Sequence, residues 1–315
     1  MTHPGTISAN TLDRWIPDAV YTFSDGGSQA AAFAQKCRAV IGTCDVHRFP
    51  DAETLVTVTP AEPLTGRVVA IYRSLHEPNA KLVELMLAAD ALRALGVQKL
   101  VLIAPYLPYM RQDRAFKPGQ AVSQMTIGGL LADKFDGLVT IQPHLHRTKS
   151  LSAVFKGKPA FDLGAGRTIG AHMQSICDPR SVVVGPDEES EALVRDVVDV
   201  LGTSWFLARK VRRGDTDVAI ELPQQLSIEN HPITIVDDIV SSGGTIATLA
   251  RALKRAGARE ITVYAVHALF DEKAAELMAK AGVSKIRSLT TVPHATNCVA
   301  VADLICAGLG VHNDG

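Results

Sequence analysis

The densest chemistry in this 315-residue chain lies in one run, Ile233-Thr234-Ile235-Val236-Asp237-Asp238-Ile239-Val240-Ser241-Ser242-Gly243-Gly244-Thr245. An apolar strand ends in two acids, and a loop of small residues then opens a helix. Small residues let backbone N–H groups converge on an anion, and the helix start adds its positive end. Ser241, Ser242 and Thr245 add hydroxyl donors beside Gly243 and Gly244. Asp237 and Asp238 would repel a phosphate that faced them. They serve better as acceptors for vicinal hydroxyls, or as ligands for a sugar-bound Mg²⁺. A phosphate at one end and a diol at the other describe ribose 5-phosphate. An ordinary capped strand–turn–helix junction shares the glycines but not the whole string.

Such a loop needs a scaffold, and the chain supplies β-rich runs alternating with helical patterns, the mark of an α/β architecture with a mainly parallel sheet. Strands are expected at 67–72, 100–104 and 138–141, with helices at 79–95 and 123–133. Leu82, Leu85, Met86, Ala89 and Leu92 recur at helical spacing and line one apolar face. Asn79 fits an N-cap and Gly96 a C-terminal stop. The rhythm resumes with strands at 182–184, 205–207, 233–236 and 261–266 and helices at 190–201 and 246–255. The breakers and charges of Phe155-Lys156-Gly157-Lys158-Pro159 place a domain boundary near 160, giving domains 1–160 and 161–315.

Composition narrows the function. Lys plus Arg total 32 against 33 Asp plus Glu, a net charge of -1, which argues against a polyelectrolyte surface for nucleic acid. Aromatic residues make up 5%, too few for a base-stacking platform. Glu84, Asp90 and Arg93 interrupt the most apolar stretch, 82–95, so no membrane span is expected. Met1-Thr2-His3-Pro4-Gly5 lacks the features of a signal peptide. Five cysteines without C-x-x-C spacing argue against a disulfide framework or structural zinc, and fit a reducing cytosol with each thiol a small buried apolar group.

The acidic pair with its small-residue loop resembles the ribose-phosphate motif of the phosphoribosyltransferases, which implies a parallel sheet flanked by helices. Further motifs follow in order: Arg48-Phe49-Pro50-Asp51-Ala52-Glu53, Tyr109-Met110-Arg111-Gln112-Asp113-Arg114, Pro143-His144, Val184-Gly185-Pro186-Asp187 and Ala208-Arg209-Lys210-Val211-Arg212-Arg213-Gly214-Asp215. Together, over residues 48 to 250, they resemble the ribose-phosphate pyrophosphokinase family. The resemblance implies two phosphoribosyltransferase-like domains. It also implies transfer of the β,γ-diphosphoryl group of MgATP to the C1 hydroxyl of ribose 5-phosphate.

By this resemblance Lys210 and Arg212 are catalytic, clamping the transferring phosphates from a mobile loop. Phe49, Asp51, Glu53, Arg111, Gln112 and His144 bind ATP. Asp187, Asp237, Asp238, Ser241, Ser242, Gly243, Gly244 and Thr245 bind ribose 5-phosphate. His144 and Asp187 attend the Mg²⁺, and Asp113 is a supporting acid. The i, i+2, i+4 spacing would put Phe49, Asp51 and Glu53 on one face of a strand or extended loop. The family also implies a cytoplasmic homo-oligomer, dimer-based and up to a hexamer.

Three positions depart from the family pattern. Ala52 replaces a glycine, which strains the loop if that position needs φ > 0. Gln142 replaces an acid two residues before His144, and Ser241 stands where many members carry a third acid. The glycine-rich 161–173 matches no motif. Two other readings are a nucleobase phosphoribosyltransferase, disfavoured by chain length and the Arg-Gln-Asp motif, and a non-catalytic regulatory homologue. Retention of Lys210, Arg212, His144, Asp237 and Asp238 counts against the latter, while Ala52 and Gln142 speak for it.

Overall fold

A computed structural model describes residues 15–212, 218–223 and 228–311. The N-terminal residues 1–5, read as lacking a leader, lie outside them. The chain divides after Leu163: one unit runs to Leu163 and resumes at Val301, and the other is Gly164–Ala300.

In the first unit β1 (Ala19–Thr22), α1 (Gly27–Cys37), β2 (Val40–Arg48), β3 (Thr54–Thr59), β4 (Val68–Tyr72) and α2 (Pro78–Ala94) come first. Next are β5 (Lys99–Ala104), α3 (Ser123–Lys134), β6 (Gly137–Ile141), α4 (Leu151–Val154) and β7 (Ala160–Leu163). The sheet order is β3-β2-β1-β4-β5-β6-β7, parallel except for the antiparallel β2–β3 pair. β4 to β6 are almost wholly buried, as continuous apolar runs in a two-sided parallel sheet must be. The expected face of α2 is inward, with Leu82, Leu85, Ala89 and Leu92 buried among Leu100, Leu102 and Phe135. Pro78 occupies its first turn and Glu77, at φ 52, stands at the cap. Asn79 is therefore inside the helix rather than capping it, and its Oδ1 accepts from the Tyr109 hydroxyl.

The second unit contains α5 (Gly166–Gln174), β8 (Val182–Gly185), α6 (Glu191–Leu201), β9 (Trp205–Leu207), β10 (Arg209–Arg212) and β11 (Val218–Glu221). It continues with β12 (Pro232–Val240), α7 (Gly244–Arg255), β13 (Glu260–Ala268), α8 (Glu272–Lys280), β14 (Lys285–Leu289) and β15 (Asn297–Val299). Its parallel sheet runs β15-β14-β13-β12-β8-β9, and β10 pairs antiparallel with β11 as a separate two-stranded ribbon. Ile235, Leu249, Leu253 and Val263 centre its core. The closing helix α9 (Ala302–Gly308) belongs to the first unit and buries Ile305 and Cys306.

The glycine-rich 161–173 is the front of a close helix pair. A Cβ on Gly166 would stand 2.8 Å from the Leu193 carbonyl oxygen, and one on Gly170 would stand 2.8 Å from Val200 Cβ. The i, i+4 glycines thus form a bare stripe on which α6 lies. Gly166→Ala is expected to force the helices apart and cost about 1–3 kcal/mol, read as a lower urea midpoint. An unchanged midpoint would show that the pair has slack.

The cysteine expectation changes. Cys44 and Cys306 are buried, but Cys37 and Cys177 are only partly so and Cys298 is exposed. Among the described residues no helix is long and apolar enough to cross a membrane.

Candidate active site

In the second unit β12 delivers the two acids to the sheet's carboxyl edge, where they are half-buried. Asp237 Oδ1 accepts from the Asp238 N–H at 3.0 Å, and Asp238 Oδ1 accepts from the Ile239 N–H at 2.7 Å. One oxygen of each carboxylate is thereby oriented by the backbone, a pre-organised pair of acceptors. The chain then turns through Ser241, Ser242 and Gly243 into α7. Gly243, at φ 70, is the cap residue, and no side chain caps this helix. Its first turn carries no acid, and Lys254 and Arg255 sit in its last turn. The helix start thus presents its backbone donors and positive end to an anion. A side chain at Gly243 would meet both a left-handed backbone and the Ala274 carbonyl oxygen at 3.1 Å. Here the structure brings Asp237, Asp238, Ser241, Ser242, Gly243, Gly244 and Thr245 into one strand–loop–helix junction.

Asp187 follows β8 on a neighbouring loop and caps the short turn 188–190, its Oδ1 accepting from the Glu189 N–H at 3.1 Å. β8 pairs with β12, so the two loops leave the same edge of one sheet. Lys210 and Arg212 lie on β10, opposite Ile220 and Val218. Their side chains lie outside the described residues, as do Arg213, Gly214 and Asp215.

In the first unit Phe49 to Glu53 join β2 to β3. The Ala52 N–H donates to the Phe49 carbonyl and the Phe49 N–H donates to the Glu53 carbonyl, both at 2.9 Å. This is a tight hairpin turn, so Phe49, Asp51 and Glu53 do not share one face of a strand. Alternation fails where the backbone reverses. Asp51 Oδ1 accepts from the Glu53 N–H at 3.1 Å, and the half-exposed Phe49 ring packs edge-on to His47 with centroids 4.7 Å apart. Ala52 has φ 70, the left-handed position that favours glycine in such a loop. Ala52→Gly is expected to add about 0.5–1 kcal/mol of stability, relief of left-handed strain less the entropy of an unfolded glycine. Chemical denaturation measures this, and a loss of stability would contradict the assignment.

Behind this turn lies a charge network that the sequence did not announce. Arg73, 6% exposed at its side chain, pairs with Glu84 at 2.6 Å and with Asp25 at 3.3 Å, its guanidinium 3.8 Å from the Phe23 ring centroid. Lys81 pairs with Asp25 at 2.8 Å, and Arg48, the last residue of β2, reaches Glu84 at 3.8 Å. Burial alone would raise the Asp25 carboxyl, but its hydrogen bond from Lys81 and the Arg73 charge outweigh that and hold its pKa below the ordinary value. Glu84 sits four residues before buried Ala88 on α2. An acid at that spacing was the available signal.

Arg111 is exposed, while Gln112 accepts from the Ser123 hydroxyl at 2.7 Å and ties its turn to the start of α3. Buried Gln124 donates to the Met110 carbonyl at 3.1 Å and accepts from Thr148 at 2.6 Å. Asp113, almost fully enclosed, pairs with Arg147 at 3.1 Å. These contacts support the 109–113 turn, in which Tyr109 has φ 66. His144 follows β6 after Gln142, at φ 43, and its ring stands edge-on to His146 with centroids 3.7 Å apart.

A parallel sheet whose acidic strand end leads through a small-residue loop to an uncapped helix is the phosphoribosyltransferase-type architecture. Residues 20–133 match the model of the N-terminal domain of ribose phosphate pyrophosphokinase, and residues 158–304 match the phosphoribosyl transferase domain. The chain is 31% identical over 284 residues to the ribose-phosphate pyrophosphokinase of Methanopyrus kandleri, covering 90% of this chain and 95% of that one. It is 32% identical to ribose-phosphate pyrophosphokinase 2 of Archaeoglobus fulgidus, covering 85% and 92%. The crystal structure of phosphoribosylpyrophosphate synthetase from Mycobacterium smegmatis superposes with a TM-score of 0.79 at 20% identity, covering 93% of this chain and 97% of that one. The chain belongs to the ribose-phosphate pyrophosphokinase family.

Proposed function

We propose that this chain is a ribose-phosphate diphosphokinase. The observation that carries the reading is the β12–α7 junction, with two backbone-oriented carboxylates leading into an uncapped helix start. Ribose 5-phosphate binds with its phosphate at Ser241 to Thr245 and its diol on Asp237 and Asp238. Its C1 oxygen attacks the β-phosphorus of ATP. The bond from that phosphorus to the α,β-bridging oxygen breaks, and AMP leaves. Phe49, Asp51, Glu53, Arg111, Gln112 and His144 hold the nucleotide. Lys210 and Arg212 meet the charge on the transferring group, a positioning and electrostatic task.

Within the first unit His144 offers a ring nitrogen for the metal–nucleotide complex. Within the second the oxygen donor of Asp187 suits Mg²⁺, which takes few protein ligands and completes its shell with phosphate and water. When bound, it neutralises the phosphates. The replacement of an acid by Gln142 removes one charge from the His144 turn, which predicts a raised Mg²⁺ requirement. The same reading takes the chain as a homo-oligomer, which the family resemblance implies. The unpaired thiols support a cytoplasmic location.

The test is AMP release from ATP and Mg²⁺, measured with and without ribose 5-phosphate. Release that depends on the sugar supports the reading. Nucleotide binding without turnover would favour the non-catalytic homologue, and exchange of a labelled base with phosphoribosyl pyrophosphate would favour the transferase.

A further inference from the structure

We propose that Cys37 and Cys306 form a reversible disulfide that fastens α9 to α1. Cys37 is the last residue of α1, Cys306 lies within α9, and their Sγ atoms stand 3.9 Å apart. A disulfide brings sulfurs to about 2.05 Å, a closure of roughly 2 Å that side-chain rotation within two packed helices can supply. Lys36 and Asp303, one residue and three residues away, form a surface ion pair at 2.6 Å between the same two helices.

The two sulfurs differ in a useful way. Cys37 is partly exposed and meets a soluble reagent, whereas Cys306 is 2% exposed and faces inward. Tyr72, on β4, is 2% exposed, and its hydroxyl has no hydrogen-bond partner among the described residues. Burial first, and then the nearby Cys306 sulfur, push that hydroxyl's pKa up. The wall behind the pair is therefore poorly solvated, and a neutral disulfide suits it better than a thiolate. A hydrogen bond from the Cys37 thiol favours the thiolate on Cys306 and outweighs burial, while the nearby Asp303 charge opposes the thiolate and the Lys36 charge favours it.

The oxidant is a low-molecular-weight disulfide, RSSR. The hydrogen bond to Cys306 and burial hold the Cys37 thiol's pKa above the ordinary value, so the Cys37 sulfur attacks RSSR as its proton passes to the Cys306 thiolate. One RS⁻ leaves and takes that proton from Cys306, and a mixed disulfide remains on Cys37. The Cys306 thiolate then attacks the Cys37 sulfur and expels the second RS⁻. The two departing thiolates take up the two protons released by the protein, so RSSR becomes two RSH. The protein loses two protons and two electrons.

The two cysteines are 269 positions apart, so the bond closes a loop containing the whole of the second unit. Loops this long place the largest constraint on an unfolded chain.

The experiment equilibrates the reduced full-length chain in mixtures of reduced and oxidised glutathione, quenches with acid, and reads intact mass and peptide linkage. The expected product is about 2 Da lighter, with peptides joined through Cys37 and Cys306 and full reversal by a dithiol. Its melting midpoint rises by about 5 °C over the reduced form. Cys37→Ser, at the partly exposed position, abolishes both changes, and the double variant Cys177→Ser with Cys298→Ser retains both. A chain that keeps glutathione on Cys37, a linkage mapping to other cysteines, or an unchanged mass would overturn the proposal. These readouts do not depend on turnover, so they stand apart from the proposed activity.

Discussion

Lys210→Ala is expected to slow AMP release by about 10²–10⁴-fold while the KM values for ATP and ribose 5-phosphate change only a few-fold. Arg212→Ala should behave alike. Both residues act, on the proposed assignment, on charge that develops as the diphosphoryl group moves between oxygens. An interaction made mainly in the transition state appears in kcat rather than in KM. β10 and β11 form a two-stranded ribbon outside the six-stranded sheet, so the clamp is carried by an element that the sheet does not require for its own pairing. Because a paired clamp works as one unit, the double variant should lose little more than either single one. Steady-state assays with both substrates varied decide the matter. A variant with intact kcat and a raised KM would move these residues from rate to simple binding.

The second large effect is structural. Glu84→Ala is expected to destabilise the first unit by about 3–5 kcal/mol, because it leaves the Arg73 guanidinium buried with a weakened set of partners. Replacing both with leucine removes the charge along with its partner, and should recover most of the loss. Urea denaturation of the two variants tests this, and a loss below about 1 kcal/mol for Glu84→Ala would show that Asp25 suffices alone. The network also has an acid dependence. Asp25 has its folded pKa below the ordinary 3.8, so the stability it supplies is complete above that value and is lost as pH falls through the lower folded one. Arg48 extends the network to the foot of the Phe49–Glu53 hairpin, so Glu84→Ala should also raise the KM for ATP.

Much of this was legible because local chemistry and global fold agree. The apolar face of α2, the runs at β5 and β6, and the acid–glycine string at β12–α7 each carry their own period and punctuation. What escaped depends on contacts distant in sequence. Nothing near Gly166 and Gly170 states that α6 will lie on them, so the glycine-rich segment matches no motif. Pro50-Asp51-Ala52 lacks the glycine that usually marks a three-residue hairpin loop, so the segment reads as a strand or extended loop. Asn79 has the chemistry of a cap, but Pro78 suits the first helical turn and moves the helix start one residue earlier. Arg73 and Glu84 lie 11 positions apart, and only the docking of α2 on β4 shows that each is the other's partner.

The interrupted course of the first unit has a consequence during synthesis. Residues 164–300 are synthesised before α9, so the flank of α1 stays uncovered while the second unit is translated. The beginning of the polypeptide is therefore completed by its end: a chain truncated at residue 300 would carry every residue of the second unit and a first unit whose α1 flank is uncovered.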